Sequence, residues 1–304
     1  MKFTIEYPVA ARDYDPALVT GEGVARVAGA IEREGYDAVA FTEHPAPSLK
    51  WIEAGGHHTL DIVSALSFCA ARTTRLRLMT YLLVLPYHNP FAAAKALTTL
   101  DLLSGGRVTV VAGTGYLRSE FLALRIDMDA RNEIFDESVE VMRGVWTRVP
   151  FHHEGRNFVG KGVASLPGPV QPGGPPILVG GNSAVARRRA AANQGWSPLL
   201  MAPGAKAATT RTPPLATIEE LAVRVTEVRE RAAEIQGPDA EVTVQVQTPE
   251  SGFMKAAGSY EEHRDHIGRL AEAGVDSFVL QPPGDDVRRL EDVLAAYAAE
   301  VVRR

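Results

Sequence analysis

The stretch 76–113, LRLMTYLLVLPYHNPFAAAKALTTLDLLSGGRVTVVAG, decides how this chain folds. It opens with a long apolar run and closes with a second one, RVTVVAG, as strands of a buried sheet do. Between them, Asn89-Pro90 is typical of a helix start and Gly105-Gly106 of a helix end. The stretch therefore predicts a strand, a helix and a second strand, which is the repeating unit of a parallel sheet.

The same alternation of short apolar runs and helical patterns extends along the whole chain. The other predicted strands are 2–8, 37–42, 175–181, 195–200, 241–248 and 276–281. Eight strands alternating with helices, with no linker that divides them, predict an α/β fold with a single domain over residues 1–304, a (β/α)8 TIM barrel. Residues 150–174 are rich in Gly, Pro and His and lack a helical period. We therefore expect an insertion between strands four and five, with a short hairpin, as an excursion over the barrel mouth.

A doubly wound sheet is the alternative architecture. It requires a dinucleotide-binding fingerprint after its first strand, and the sequence there, EYPVAARDYD, has none. After strand four, GTGYLR has two glycines but Arg118 where the third glycine belongs. The barrel is therefore the favoured fold.

Composition excludes several classes of protein. The chain has 304 residues, 45% of them hydrophobic, and a formal charge of −5, so nothing indicates the basic face of a nucleic-acid-binding protein. The single cysteine, Cys69, cannot form an internal disulfide and lies in an apolar run, where a buried, unreactive thiol is expected. The N-terminus lacks the apolar segment of a signal peptide, and no apolar stretch approaches the ~20 residues of a membrane span. We expect a cytoplasmic protein without membrane or nucleic-acid partners.

The active site of such a barrel lies at the carboxyl ends of its strands, and this rule selects the candidate residues. Those near the ends of strands two to five are Glu43, His44, Thr80, Tyr81, Gly113, Thr114, Gly115, Tyr116, Gly180, Gly181, Asn182 and Ser183. Glycines let the backbone approach a ligand, and Asn182 or Ser183 can cap a helix whose first N–H groups attract phosphate. A plain glycine turn with a helix cap is the alternative interpretation of this last segment.

The histidines distinguish an acid–base site from a metal site. Residues 57–58 and 152–153 are adjacent histidine pairs, and neighbouring side chains in a helix or strand diverge, so we expect no metal site. His44 differs because it ends strand two over the barrel mouth, where an imidazole can exchange a hydrogen bond with a bound ring. His44 and the adjacent Glu43 are the predicted catalytic residues.

Three segments resemble the bacterial luciferase-like flavin and deazaflavin oxidoreductases. They are FTEHP at 41–45, LLVLPYHNPF to GTGYLRSEF at 82–121, and PPILVGGNSAVARRRAA at 175–191. The combination of VLPYHNP, SGGR and G-x-G-Y…E-F is much more specific than any one of its parts. TEHPAPSLKW and GGHH resemble the subgroup that uses the deazaflavin coenzyme F420.

This resemblance implies a TIM barrel that holds a flavin-type ring at its mouth, usually in a homodimer. It implies that Thr80 and Tyr81 lie behind the ring, often with a cis non-prolyl peptide bond, and that His44 faces the reactive side. The residues it implies for the ribityl chain and the phosphate are Gly113, Thr114, Gly115, Gly181, Asn182 and Ser183. Flavin monooxygenases of the family often carry an arginine where this chain has Thr114, which weakens an FMN assignment.

Three functions are consistent with these features. The favoured one is an oxidoreductase that transfers a hydride between coenzyme F420 (8-hydroxy-5-deazaflavin) and a small organic substrate. The alternatives are a two-component monooxygenase that uses reduced FMN and a cofactor-binding protein without turnover. The acidic tail of F420 requires a basic exit, for which the arginines at 187–189 and Lys161 are candidates. Sequence does not predict the substrate, because loops line its site and loops vary within this fold.

Overall fold

Parallel strands close into a barrel in a computed structural model of the protein, which describes residues 1–9, 13–204, 210–256 and 258–303. In chain order the strands are β1 (Lys2–Glu6), β2 (Ala38–Phe41), β3 (Arg77–Val84), β4 (Val108–Gly113), β5 (Phe151–Glu154), β6 (Val159–Val163), β7 (Ile177–Gly180), β8 (Gly195–Ser197), β9 (Thr243–Val246) and β10 (Ser277–Leu280). Eight of them form the barrel in the order β1-β2-β3-β4-β7-β8-β9-β10, and β10 pairs with β1. The predicted (β/α)8 barrel is confirmed.

Helices surround the barrel and follow its strands. They are α1 (Gly21–Arg33), α2 (Leu49–Glu53), α3 (Ile62–Ala70), α4 (Pro90–Ser104), α5 (Arg118–Ala123), α6 (Arg131–Thr147), α7 (Ala184–Ala191), α8 (Ile218–Gln236), α9 (Tyr260–Glu272) and α10 (Val287–Tyr297). The predicted boundaries of α4 are confirmed. The Asn89 side chain accepts a hydrogen bond from the Phe91 amide, and Gly105 ends the helix with φ 68°, a conformation that favours glycine.

Buried side chains fill the barrel as well as its outer wall. The larger cluster packs the strands against the helices. A smaller cluster consists of Ala38, Ala40, Met79, Tyr81, Val111, Leu178 and Val279, and it occupies the barrel interior, as in other closed barrels of eight strands. Because the interior is filled, a ligand site can lie only above it, at the carboxyl ends of the strands.

Arg107, which follows the Gly-Gly pair, joins the ends of two helices. Its guanidinium donates to the carbonyl oxygens of Ala70 (3.1 Å), the last residue of α3, and of Thr73 (3.0 Å) and Leu76 (2.7 Å) in the loop that follows. It also donates to the Ser104 carbonyl at the end of α4 (2.7 Å). Helix ends leave carbonyl groups without helical partners, and Arg107 satisfies several of them at once. The SGGR motif is therefore a structural element of the barrel wall.

The segment 150–174 contains an antiparallel hairpin of β5 and β6, but it lies against the outer helices. Glu137 on α6 accepts hydrogen bonds from the Phe158 amide (2.8 Å), and Lys95 on α4 donates to the Leu166 carbonyl (2.7 Å). Its residues do not contribute to the described wall of the cavity at the barrel mouth. The expected position over the mouth is therefore corrected, because polar side chains of α4 and α6 hold the segment on the outside.

Candidate functional site

A cavity of about 640 Å³ opens at the carboxyl ends of the barrel strands. This volume is in the range of sites for cofactors and drug-sized ligands. The predicted site residues that line it are Glu43, His44, Tyr81, Gly113, Gly115, Tyr116 and Gly181. The strand-end rule thus located the cavity from sequence.

His44 contacts a buried carboxylate at the edge of this cavity. Its Nδ1 lies 3.2 Å from Oε2 of Glu120, and the Glu120 side chain is fully buried. Glu120 also accepts hydrogen bonds from the Tyr87 hydroxyl (3.0 Å) and the Ala46 amide (3.2 Å). Because an ionised carboxylate only accepts hydrogen bonds, Nδ1 carries the proton of this contact, which leaves Nε2 of His44 for a ligand.

Three rings surround the His44 imidazole. The centroids of Trp51, His57 and Tyr116 lie 4.6, 4.9 and 5.8 Å from that of His44. Burial, and secondarily His44, lowers the pKa of His57 to about 4. Burial and Glu120 raise the pKa of Tyr116 to about 12. Both neighbours are therefore uncharged at neutral pH.

Glu43 links the end of β3 to the residues that precede α4. One of its oxygens accepts from the Val84 amide at the end of β3 (2.6 Å), and the other lies 2.7 Å from Nε2 of His88. Burial opposes protonation of His88, but the hydrogen bond and the charge of Glu43 outweigh it and raise the pKa of His88. Glu43 thus lines the cavity with both oxygens engaged. A positioning role fits this geometry better than the predicted catalytic one, which stays a prediction.

The end of β3 combines one cavity residue with one structural residue. A cis peptide bond joins Tyr81 to Leu82, in the segment where the family resemblance implied such a bond. The Tyr81 hydroxyl donates to Oε1 of Gln247 (3.3 Å) at the cavity wall. Thr80, in contrast, is fully buried, and its hydroxyl bonds to both backbone groups of Val111 at 2.9 Å. The structure therefore places Thr80 in the strand pairing and away from the cavity.

Two of the predicted cofactor glycines accommodate the Leu82 side chain. A Cβ atom on Gly113 or on Gly180 would lie 2.9 or 2.7 Å from Cδ1 of Leu82, closer than real contacts allow. The requirement for glycine at these positions is therefore set by Leu82. Gly180 and Thr114 are not among the cavity-lining residues.

The segment predicted to bind phosphate is only partly available. Oδ1 of Asn182 accepts from the Leu199 amide (2.9 Å), and its Nδ2 donates to the carbonyls of Leu199 (2.7 Å) and Pro213 (2.9 Å). Oγ of Ser183 accepts from the Ala186 amide (3.1 Å) and caps α7. Both side chains are thus engaged within the protein, and the backbone at Gly181 and the start of α7 is the part that a phosphate can approach.

The basic exit predicted for the F420 tail also has fewer available cations than the sequence indicates. Arg189 is buried against Asp136 (2.6 Å). Arg187 donates to the Asn182 carbonyl (2.7 Å) and lies 3.5 Å from Glu227. Lys161 lies on β6, within the hairpin on the outer helices. Of these four cations, Arg188 is the exposed one on α7, and it lies in the last turn of that helix.

Several cavity residues were absent from the sequence prediction. They are Glu6, Trp51, His57, Gln247 and Gln281, together with Glu120 behind His44. Glu6 was missed because the first strand was predicted to continue to Pro8, whereas β1 ends at Glu6. Gln247 and Gln281 follow the last two strands, where the strand-end rule would have found them. Glu120 is the acidic residue of the family signature, to which no role had been given.

The residues that the structure describes contain neither a metal-binding cluster nor a membrane-spanning helix. Within them, no group of three or more His, Cys, Asp or Glu side chains is arranged to hold a metal ion. In the same ranges, no helix has both the length and the apolar character that crossing a membrane requires.

Comparison with known proteins identifies two kinds of relative. An FMNH(2)-dependent dimethylsulfone monooxygenase of Pseudomonas putida is 31% identical over 143 residues, 46% of this chain and 38% of that protein. An F420-dependent glucose-6-phosphate dehydrogenase of Rhodococcus hoagii is 31% identical over 170 residues, 54% of this chain and 49% of that protein. The chain spans less than two thirds of the length of the curated relatives it matches, 62% in the longest of these alignments.

Solved structures share the fold. The monooxygenase RslO1 from Streptomyces bottropensis superposes with a TM-score of 0.81 at 24% identity, covering 100% of this chain and 99% of that one. At this identity the likeness shows the fold alone. The sequence model of the luciferase-like monooxygenase family matches residues 1–251. Because this match covers most of the chain, the protein belongs to the luciferase-like monooxygenase family.

Proposed function

We propose that the protein is an oxidoreductase that transfers a hydride between coenzyme F420 and a small organic substrate. The observation that carries this proposal is the contact between His44 and Glu120, an imidazole backed by a fully buried carboxylate at a cavity of cofactor size. A deazaflavin carries hydride only, so the protein must handle the accompanying proton. The F420-dependent relative of Rhodococcus hoagii supports the same cofactor.

The residues at the mouth fit a flavin-type cofactor. Gly181, with φ 105°, leaves its backbone open, since a Cβ there would meet only the Ala186 side chain at 3.7 Å. The first N–H groups of α7 follow directly and attract a phosphate. Leu82 and Val84 give the cavity an apolar wall next to the Tyr81 ring, which suits a flat ring. When bound, the deazaflavin supplies the carbon that gives or accepts the hydride.

The protein's own residues would then control the proton. Glu120 fixes the Nδ1 side of His44, and Tyr87 and the Ala46 amide fix Glu120. Nε2 of His44 can therefore hold a proton toward the cavity, or take one from it, without reorientation of the ring. Trp51 and His57 pack around the imidazole and keep water from much of its surface.

A monooxygenase that uses reduced FMN is the second candidate, and the relative of Pseudomonas putida favours it. Such an enzyme must shelter a reactive oxygen adduct from water. Residues 150–174, the expected cover, pack on α4 and α6 instead, so they supply no such shelter. The His44–Glu120 contact favours an enzyme over a cofactor-binding protein, because storage of a cofactor needs no proton donor.

Direct binding of both cofactors tests the proposal. We expect coenzyme F420 to bind more tightly than FMN in fluorescence titrations at low and at high salt. The salt effect should be small, because Arg187 and Arg189 are engaged within the protein and screening acts mainly on exposed charges. Oxygen consumption with each reduced cofactor then separates the two candidates. Tight FMN binding without F420 binding would contradict the proposal and favour the monooxygenase.

Ser183→Asp tests whether the start of α7 holds the cofactor phosphate. Aspartate caps a helix about as well as serine, so the Tm of the protein without cofactor should not change. The added negative charge should lower cofactor affinity at least tenfold, about 1.4 kcal/mol, in the same titration. Ser183→Asn is the matched control, since it caps the helix without a charge and should bind normally. If Ser183→Asp binds as tightly as the control, the phosphate lies elsewhere.

A further inference from the structure

Two glutamines lie on neighbouring strands at one side of the cavity. Gln247 is the first residue after β9 and Gln281 is the first after β10, and these two strands pair in the barrel. Both side chains are half-buried and line the cavity. Because β9 is four strands away from β3 in either direction around the barrel, the two glutamines lie across the mouth from the apolar wall of Leu82 and Val84.

One end of each amide group is held by a neighbouring side chain. The Tyr81 hydroxyl donates to Oε1 of Gln247 (3.3 Å), and it keeps its proton because burial raises the pKa of Tyr81 far above its ordinary value. Nε2 of Gln281 donates to Oε2 of Glu6 (2.8 Å), since a carboxylate oxygen accepts such bonds. The two amides are therefore oriented in opposite ways, which leaves the donor of Gln247 and the acceptor of Gln281 for a ligand.

Backbone hydrogen bonds hold the two residues in place. The Gln247 carbonyl accepts from the Leu200 amide (2.8 Å), and the Gln281 amide donates to the Ser251 carbonyl (2.8 Å). Among the residues that the structure describes, neither Nε2 of Gln247 nor Oε1 of Gln281 has a hydrogen-bond partner. A few polar groups that are fixed in this way in a largely apolar cavity orient a ligand and give specificity.

We infer that Gln247 and Gln281 bind a primary carboxamide or lactam group of the substrate. In such a group the C=O accepts a hydrogen bond from Nε2 of Gln247, and the adjacent N–H donates to Oε1 of Gln281. A ketone or ester offers the acceptor alone and leaves Oε1 of Gln281 unpaired, which weakens binding. The amide serves for recognition and is not the group that reacts. This inference rests on the proposed function in that it assigns the β3 wall to the cofactor ring and the β9–β10 side to the substrate.

Benzamide and acetophenone test the inference, because both are uncharged, have the same shape and differ only in an NH2 or a CH3 group. Each is titrated against the purified protein with and without saturating F420, with ligand-observed NMR as the readout, so that no turnover is needed. We expect benzamide to bind about fivefold more tightly or better, as one neutral hydrogen bond predicts. Gln281→Met should remove this preference. Gln247→Met should weaken both probes alike, since both carry the carbonyl group.

Gln236→Met is the matched control. Gln236 lies on α8, where it donates to the carbonyls of Ala191 and Asn193, so the same change there should leave both affinities unchanged. The inference is overturned if wild-type protein binds both probes equally, or if Gln281→Met keeps the preference at an unchanged Tm. Displacement of benzamide by F420 also overturns it, because the lactam of the cofactor ring then fills the site. If F420 does not bind and the preference for benzamide persists, the proposed function is contradicted and amide recognition stands.

Discussion

Glu120→Gln is expected to lower turnover about 10²-fold or more, with little change in cofactor affinity. The glutamine keeps the shape of the side chain but brings an NH2 group, which donates, into a site where the Tyr87 hydroxyl, the Ala46 amide and His44 all point donors at the carboxylate. One of these donors then loses its acceptor, and the His44 ring loses the charge that fixes its tautomer. The readout is steady-state reduction of coenzyme F420 with the small organic substrate that gives the highest rate.

His44→Ala should reduce turnover to a similar extent. The double variant His44→Ala/Glu120→Gln should be no slower than His44→Ala alone. Residues that act as one unit are not additive, because without the imidazole the carboxylate has nothing to position. Glu219→Gln is the control for the loss of a carboxylate and should retain full turnover. Chelators should have no effect. Full activity of His44→Ala, or loss of activity on chelation, would refute the assigned role of this pair.

Arg107→Met is expected to destabilise the protein by about 3 kcal/mol, since hydrogen bonds to a charged group are each worth roughly 1.5–3 kcal/mol and only part of their sum is lost. Methionine keeps the aliphatic part of the side chain and removes the donors to the carbonyls of Ala70, Thr73, Leu76 and Ser104. The carbonyls of Ala70 and Ser104 lie at the ends of α3 and α4, where no helical donor replaces the guanidinium, and those of Thr73 and Leu76 lie in the loop before β3. The expected effect is a lower Tm by differential scanning calorimetry.

Arg269→Met provides the comparison for this change. Arg269 is exposed and donates to Glu219 (2.9 Å), and exposed ion pairs contribute about 0–1 kcal/mol. A Tm of Arg107→Met equal to that of Arg269→Met would show that the SGGR arginine does not stabilise the barrel wall.

The fold was predictable because its signals are local. Asn89 and Gly105 bound α4 through contacts within a few residues, and apolar runs mark strands wherever the chain is buried on both faces. The position of 150–174 was not predictable in this way. Its contacts with Glu137 and Lys95 join residues far apart in sequence. The order of elements was the overlooked signal: the segment follows α6 and precedes β7, and connections from a helix to the next strand lie at the end of the barrel opposite the mouth.

The location of the cavity was predictable, but the contacts of its residues were less so. Strand ends identified His44 and Gly181 because parallel strands bring their carboxyl ends together. The engagement of Asn182 was not predictable, because the partners of its three side-chain hydrogen bonds, Leu199 and Pro213, are distant in sequence. Glu120 is 76 residues away from His44, so the carboxylate chosen from sequence was the adjacent Glu43.

Leu82 has a consequence for how this barrel mouth can evolve. Its side chain occupies the space that a Cβ on Gly113 or Gly180 would need, so three neighbouring strands share one volume. A side chain at either glycine requires the end of the Leu82 side chain to move or position 82 to become smaller. The effects of substitutions at the three positions are therefore not additive. Mutational paths that reshape this wall for a different ligand depend on the residue at position 82.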